Sequence, residues 1–134
     1  TWGLMRMVPR GGGSGDLGEV ILEVAGRVRR TLGARPTVSE MEDRFVEALV
    51  ARRVRVTRRA GTTVCFNGVP IEKVLGDVVL EGRVMVEFKR LPALTSADLY
   101  RFAQFLKMSG LREGFIINLT GATLDCRYLS VAGP

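Results

Sequence analysis

The chain contains no histidine. That absence removes imidazole acid–base catalysis, a Ser-His-Asp triad and His-ligated zinc together. Cysteine is almost as scarce. Cys65 and Cys126 stand far apart, so there is no CxxC metal or redox motif, and both read as small buried hydrophobes. No apolar run approaches the roughly 18 residues that cross a bilayer. The opening stretch TWGLMRMVPRGGGSG lacks the continuous apolar segment of a secretory signal. The expectation is a soluble, intracellular protein without a membrane partner. Aromatic residues make up only 7%, and Trp2 and Tyr100 are isolated, so no stacking platform for single strands is visible. Any chemistry has to come from carboxylates, lysines, arginines and hydroxyls.

What the chain has in excess is arginine. Of its 20 basic residues 17 are Arg, and the net charge is +6. The guanidinium fork suits bidentate phosphate contact, so the expected partner is nucleic acid. Ordinary surface charge would give the same balance. A length of 134 residues suits one domain. Residues 1–15 read as a glycine-rich N-terminal arm, because RGGGSG holds neither helix nor strand well. Residues 16–134 read as the folded domain, and the arm offers a route to a homo-oligomer.

Along the domain, Leu17, Ile21, Val24, Val28 and Leu32 recur at helical spacing, and Gly33 ends that helix. A second helix is expected over 40–51, with Met41, Phe45, Ala48 and Leu49 on its apolar face and a Ser39–Glu42 capping box. Strands follow at 52–59 and 63–66, and Asn67-Gly68 is a strong hairpin turn. Further strands are expected at 76–80 and 84–89. A helix capped by Thr95 or Ser96 runs to about Met108, then come a central strand at 114–119 and an edge strand at 124–131. The order αα-ββββ-α-ββ describes an α/β domain with a mixed sheet.

One stretch carries an anomaly. In VMVEFKR, Val84, Val86 and Phe88 alternate with Met85, Glu87 and Lys89, so an apolar strand places two charges on one face. If Val78, Leu80, Val84, Val86 and Phe88 share one core, the preceding loop must be the three residues Glu81-Gly82-Arg83. Asp77 then lies opposite Glu87, and Asp77, Glu87 and Lys89 share a face. Facing carboxylates repel unless a cation lies between them, and carboxylate oxygens suit Mg²⁺. Lys89 is placed to orient a water or to stabilise charge on phosphorus. The same spacing also describes a merely wet strand face with a weak Glu87–Lys89 surface pair.

The run FNGVPIEKVLGDVVLEGRVMVEFKR, followed by a helix and GFIINL, resembles the PD-(D/E)XK nuclease superfamily and, more narrowly, the small GxxExxY proteins. The resemblance covers residues 16 to about 131. Leu32-Gly33, Glu42 to Phe45, Phe66-Asn67-Gly68, Asp77, Glu87-Phe88-Lys89 and Gly114 to Leu119 take the places of that family's motifs. It implies a restriction-endonuclease-like mixed sheet with an αβββαβ core flanked by helices. It also implies phosphodiester cleavage dependent on Mg²⁺ or Mn²⁺. Asp77 and Glu87 would be metal ligands, Lys89 the catalytic lysine, and Glu42 would approach the metal from its helix or serve only as the N3 partner of Ser39. Three positions depart from the pattern. Phe45 replaces the motif tyrosine, Arg29 the histidine near the end of the first helix, and Arg101 the glutamine of the catalytic helix, with Gln104 one turn later.

Two functions fit. The first is a metal-dependent nuclease whose phosphate surface is Arg53, Arg55, Arg58, Arg59 and Arg101. The second is a catalytically inactive protein of the same fold that binds or coats DNA in a nucleoprotein or viral assembly. A protein-interaction module with no nucleic-acid role is the third and weakest reading.

Overall fold

The computed structural model describes residues 3–5, 16–59, 62–73 and 77–131. Two helices pack on one face of a mixed sheet and one helix on the other. Helix α1 (Asp16–Leu32) carries acidic residues in its first turn and Arg29 and Arg30 in its last, matching the sign of the helix dipole at each end. Gly33 stops it in the left-handed region, at φ 88°, as its position in the sequence demands.

Helix α2 (Val38–Ala51) starts two residues earlier than expected. Its N-cap is Thr37, which accepts a hydrogen bond from the Glu40 N–H at 3.0 Å, while Glu40 accepts one from the Thr37 N–H at 3.0 Å. The Ser39–Glu42 box does not form. Two overlapping S/T-x-x-E patterns compete here, and the one that keeps Val38 on the helix and against the core prevails. Glu42 is thereby free of any capping duty.

After α2 the chain turns through Arg52 and Arg53, the latter at φ 63°, so the expected strand over 52–59 is confined to β2 (Val56–Arg59). The hairpin β3 (Thr62–Phe66) to β4 (Val69–Lys73) turns at Asn67-Gly68, whose φ angles of 51° and 77° are those of a primed hairpin turn. It forms a two-stranded sheet of its own, and the returning strand β4 was not foreseen. Then come β5 (Asp77–Leu80), β6 (Val84–Lys89), α3 (Ser96–Ser109), β7 (Glu113–Asn118) and β8 (Asp125–Ser130). Thr95 caps α3 through a box with Asp98, and Gly110 ends it at φ 79°.

Among the described residues the main sheet has six strands in the order β1-β8-β7-β6-β5-β2, where β1 is Gly3–Met5. Strands β6 and β7 are parallel and all other neighbours antiparallel. Two expectations change at this point. Strand β8 is not an edge, because β1 covers its outer side, pairing Leu4 with Leu129. Residues 3–5 of the expected arm are therefore strand, and the glycine-rich stretch at 10–15 lies outside the described residues.

The larger core joins α1 and α2 to Val78, Leu80, Val84, Val86 and Phe88, with Phe45 meeting Phe88 edge to face at 5.0 Å and 81°. The smaller core lies on the other side of the sheet, where Leu99, Phe102, Ala103 and Leu106 of α3 cover Met85, Ile116 and Leu129. Gly114 permits that approach. A Cβ there would meet the Met85 carbonyl oxygen and the Phe102 ring at 2.8 Å each.

Candidate active site

The site begins with the β5–β6 hairpin. Leu80 pairs with Val84, Val79 with Met85 and Val78 with Val86, so the loop is the three residues Glu81 to Arg83. Glu81 and Gly82 both adopt positive φ, 53° and 67°. A non-glycine residue in that region needs support, and Glu81 has it. Its N–H donates to the Arg55 carbonyl at 2.8 Å, and its carboxylate accepts the Arg55 N–H at 2.7 Å. That backbone hydrogen bond is the main cause that holds the Glu81 carboxyl below the usual carboxylate range, with the Arg55 side chain adding to it.

The register sets the faces. Carried one residue further, it places Asp77 opposite Glu87. Of Asp77 the structure describes the backbone alone, paired with Arg59 of β2. Val84, Val86 and Phe88 enter the larger core, and Met85 lies under α3, so Glu87 and Lys89 project on the α3 face beyond Met85. There the Lys89 ammonium lies 3.2 Å from Glu87 Oε1, with the Glu87 side chain 14% exposed and that of Lys89 41%. The carboxylate is thus largely shielded and the amine partly open to solvent.

On the neighbouring strand, Asn118 is in register with Lys89 and is only 2% exposed. Its Oδ1 accepts the Leu91 N–H at 2.9 Å, and its Nδ2 donates to the Leu91 carbonyl at 3.0 Å. One side chain therefore continues the ladder past the last paired residues and fixes the chain as it leaves Lys89. Sequence reasoning missed this residue, although the signal was present: Asn118 is the only polar side chain in GFIINL. Helix α3 joins two parallel strands and so runs back against them, which brings its first turn to the end of β6 that bears Glu87 and Lys89.

The remaining expected residues fall into separate groups. Glu42, 8% exposed, accepts Arg58 Nε at 3.1 Å and Nη2 at 2.9 Å, while the same Nη2 reaches Asp43 Oδ1 at 2.7 Å. These hydrogen bonds, that to Asp43 foremost, raise the Arg58 pKa further and keep the charge on. Arg58 pairs with Val78, a residue of the larger core, so this cluster lies on the α1/α2 face and not on the face of Glu87. Arg55 is well exposed and tied loosely to Glu81 at 3.4 Å. Arg53 is exposed at its turn. Arg101, on α3, pairs with Asp98 at 2.6 Å, and Gln104 is half-buried one turn on. Of Arg59 only the backbone is described.

The donor set fits a hard divalent cation. Glu87 offers a shielded carboxylate already holding a positive group at 3.2 Å, and Asp77 faces it by register. Among the described residues no cluster of three or more carboxylate, Cys or His ligands stands ready-made. None of the described helices is long and apolar enough to cross a membrane.

A family model of the PD-(D/E)XK nuclease superfamily matches residues 15–127. No curated protein and no solved structure gives a significant match. Nucleases of that superfamily typically use divalent metals. The matched span contains all three helices and every strand from β2 to β7, and the observed α/β mixed sheet is the one a restriction-endonuclease-like fold requires. The chain belongs to the PD-(D/E)XK nuclease superfamily.

Proposed function

We propose that the chain is an active, divalent-metal-dependent nuclease that cleaves DNA, close within its superfamily to the small GxxExxY proteins. Support comes above all from the Glu87–Lys89 pair, shielded on one side, open on the other, and set beside Asp77 by the hairpin register. Asp77 and Glu87 would hold Mg²⁺ or Mn²⁺. When bound, such an ion supplies positive charge to a phosphate oxygen and makes a coordinated water easier to deprotonate.

The chain's own residues do the rest. Lys89 Nζ leaves Glu87, donates to the attacking water or a phosphate oxygen, and balances the charge that builds on phosphorus. Asn118, by fixing Leu91, holds the strand end that aims Lys89. Water adds to phosphorus and gives up a proton to solvent, the P–O bond to the leaving sugar oxygen breaks, and that oxygen takes up a proton from solvent. Arg59, paired with Asp77, and Arg101 on α3 would provide phosphate contacts near the site, and Arg53 and Arg55, at the hairpin-loop end of the sheet, would extend them away from it. Glu42, held by Arg58 on the opposite face of the sheet, has no part in this set.

The second reading, a nuclease fold retained for coating DNA in a nucleoprotein assembly, is favoured by that Glu42–Arg58–Asp43 cluster. It keeps one expected ligand occupied. Supercoiled plasmid DNA and a single-stranded RNA, each incubated with the protein in Mg²⁺, in Mn²⁺ and in chelator, decide between them. The nuclease nicks plasmid only with metal. The coating protein shifts DNA in all three conditions, cuts in none, and loses binding steeply with salt.

A further inference from the structure

A groove of about 520 Å³ runs between α1 and the loop that follows β7, on the α1/α2 side of the sheet and apart from Glu87 and Lys89. Arg29 and Arg30 line it, with Leu22 and Gly26 from the same helix and Leu124 and Cys126 opposite. Three features of its wall need a reason.

The first is Arg29. It is 6% exposed, yet among the described residues its hydrogen bonds go only to neutral carbonyl oxygens: Gly33 at 3.1 Å, Leu119 at 2.9 Å, Ala34 at 3.3 Å and Gly121 at 2.5 Å. A guanidinium has five N–H donors. One, on Nη1, has no partner among the described residues, and no described carboxylate offsets the charge, an arrangement that costs free energy unless an anion or water completes it.

The second is Gly26. It lies in mid-helix, where glycine costs about 1 kcal/mol relative to alanine. Close packing does not demand it, since an added Cβ would meet nothing nearer than Arg30 Nη1 at 3.5 Å. What glycine does there is leave the groove open. The third is the local charge. Arg30 is exposed and has no described ion-pair partner. The one described carboxylate on the wall, Asp125, is held by Arg127 at 2.7 and 3.2 Å. Burial pushes the Cys126 thiol up to about 12, so it stays neutral and repels no anion.

We infer that this groove binds a nucleotide through a terminal phosphate, with the phosphate on Arg29 and Arg30 and the flat apolar body lying over Gly26 between Leu22 and Leu124. The same chemistry is carried by a free nucleoside monophosphate and by the phosphorylated end of a nucleic-acid strand. The groove's own features stand without the catalytic reading; only the strand end as a source rests on it.

Isothermal titration of the whole chain tests this, using adenosine 5′-monophosphate, adenosine, inorganic phosphate, and one oligonucleotide with and without a 5′-phosphate. The expected result is saturable binding of the monophosphate, weaker by about tenfold for adenosine, which lacks the charge-assisted contacts, and by about tenfold for phosphate alone, which lacks the buried apolar body. Arg30→Glu, at an exposed position, should weaken it by about as much. Gly26→Leu should remove binding while melting no lower than wild type. Lys89→Ala should lose cleavage and keep nucleotide binding, so failure of one idea is told from failure of the other. Tighter binding of the phosphorylated oligonucleotide names the strand end as the source, and equal or weaker binding names the free nucleotide. Absence of saturation by either phosphate ester, or undiminished binding in Gly26→Leu or Arg30→Glu, overturns the proposal.

Discussion

The two faces of β6 meet different neighbours along the same six residues. On one face Val84, Val86 and Phe88 are all buried, and the core continues unbroken to the strand's end because α2 lies across it. On the other, Met85 is fully buried under α3, but cover thins to a largely shielded Glu87 and a partly open Lys89. The difference lies in where cover stops. One face serves stability along its whole length, and the other gives stability up at its last two positions. A strand held rigidly by the first face is a good mount for charged groups on the second.

If that division is real, the largest effect on folding should come from the core face. Phe45→Ala removes a fully buried ring from its contact with Phe88 and should cost about 3–5 kcal/mol in urea unfolding. A loss under about 1 kcal/mol would mean the core face is not the anchor. Arg58→Ala sharpens the contrast between the two carboxylates, Glu42 and Glu87. It strands a buried Glu42, and because Arg58 is itself 44% exposed, the cost should be only about 1–2 kcal/mol. Thr37→Ala should cost about 1 kcal/mol and Ser39→Ala close to nothing, measured by thermal melts of both. The opposite order would restore the Ser39–Glu42 box and return Glu42 to a capping role.

The smallest expected effect is that of pH at the hairpin loop. The folded-state pKa of Glu81 lies below its unfolded value, so its contribution is complete above the ordinary carboxylate range. It is lost as pH falls through the lowered folded value. Glu81→Gln should therefore be less stable than wild type at neutral pH and lose less on acidification. A constant gap between the two proteins from pH 7 to pH 3 would remove Glu81 as the support of the loop's positive φ angles.

The sequence made some of this legible, and the reasons are physical. The hairpin register could be read because a one-residue slip would have turned Val86 and Phe88 out of the core; only a three-residue loop agrees with the apolar alternation. The α2 cap could not be read from pattern alone, because Thr37–Glu40 and Ser39–Glu42 satisfy the same rule and packing of Val38 decides. The pairing of β1 with β8 joins Gly3–Met5 to the far end of the chain, and three residues carry no alternation to announce it. Arg58 looked like a free phosphate ligand among its neighbouring arginines. Its link to Glu42 and Asp43 depends on how α2 lies beside the sheet's edge, a non-local fact. Asn118 was an anomaly of the same kind as Glu87, a polar group within an apolar strand, and could have been found by the same question.

The most direct test compares plasmid nicking by wild type, Glu87→Gln and Lys89→Ala in Mg²⁺ and Mn²⁺, with thermal melts alongside. The division of β6 into a stabilising and a reacting face predicts metal-dependent nicking that falls by about a hundredfold or more in each variant, with melting temperatures near wild type. Nicking that survives in both variants, or variants that unfold as readily as Phe45→Ala, would contradict it.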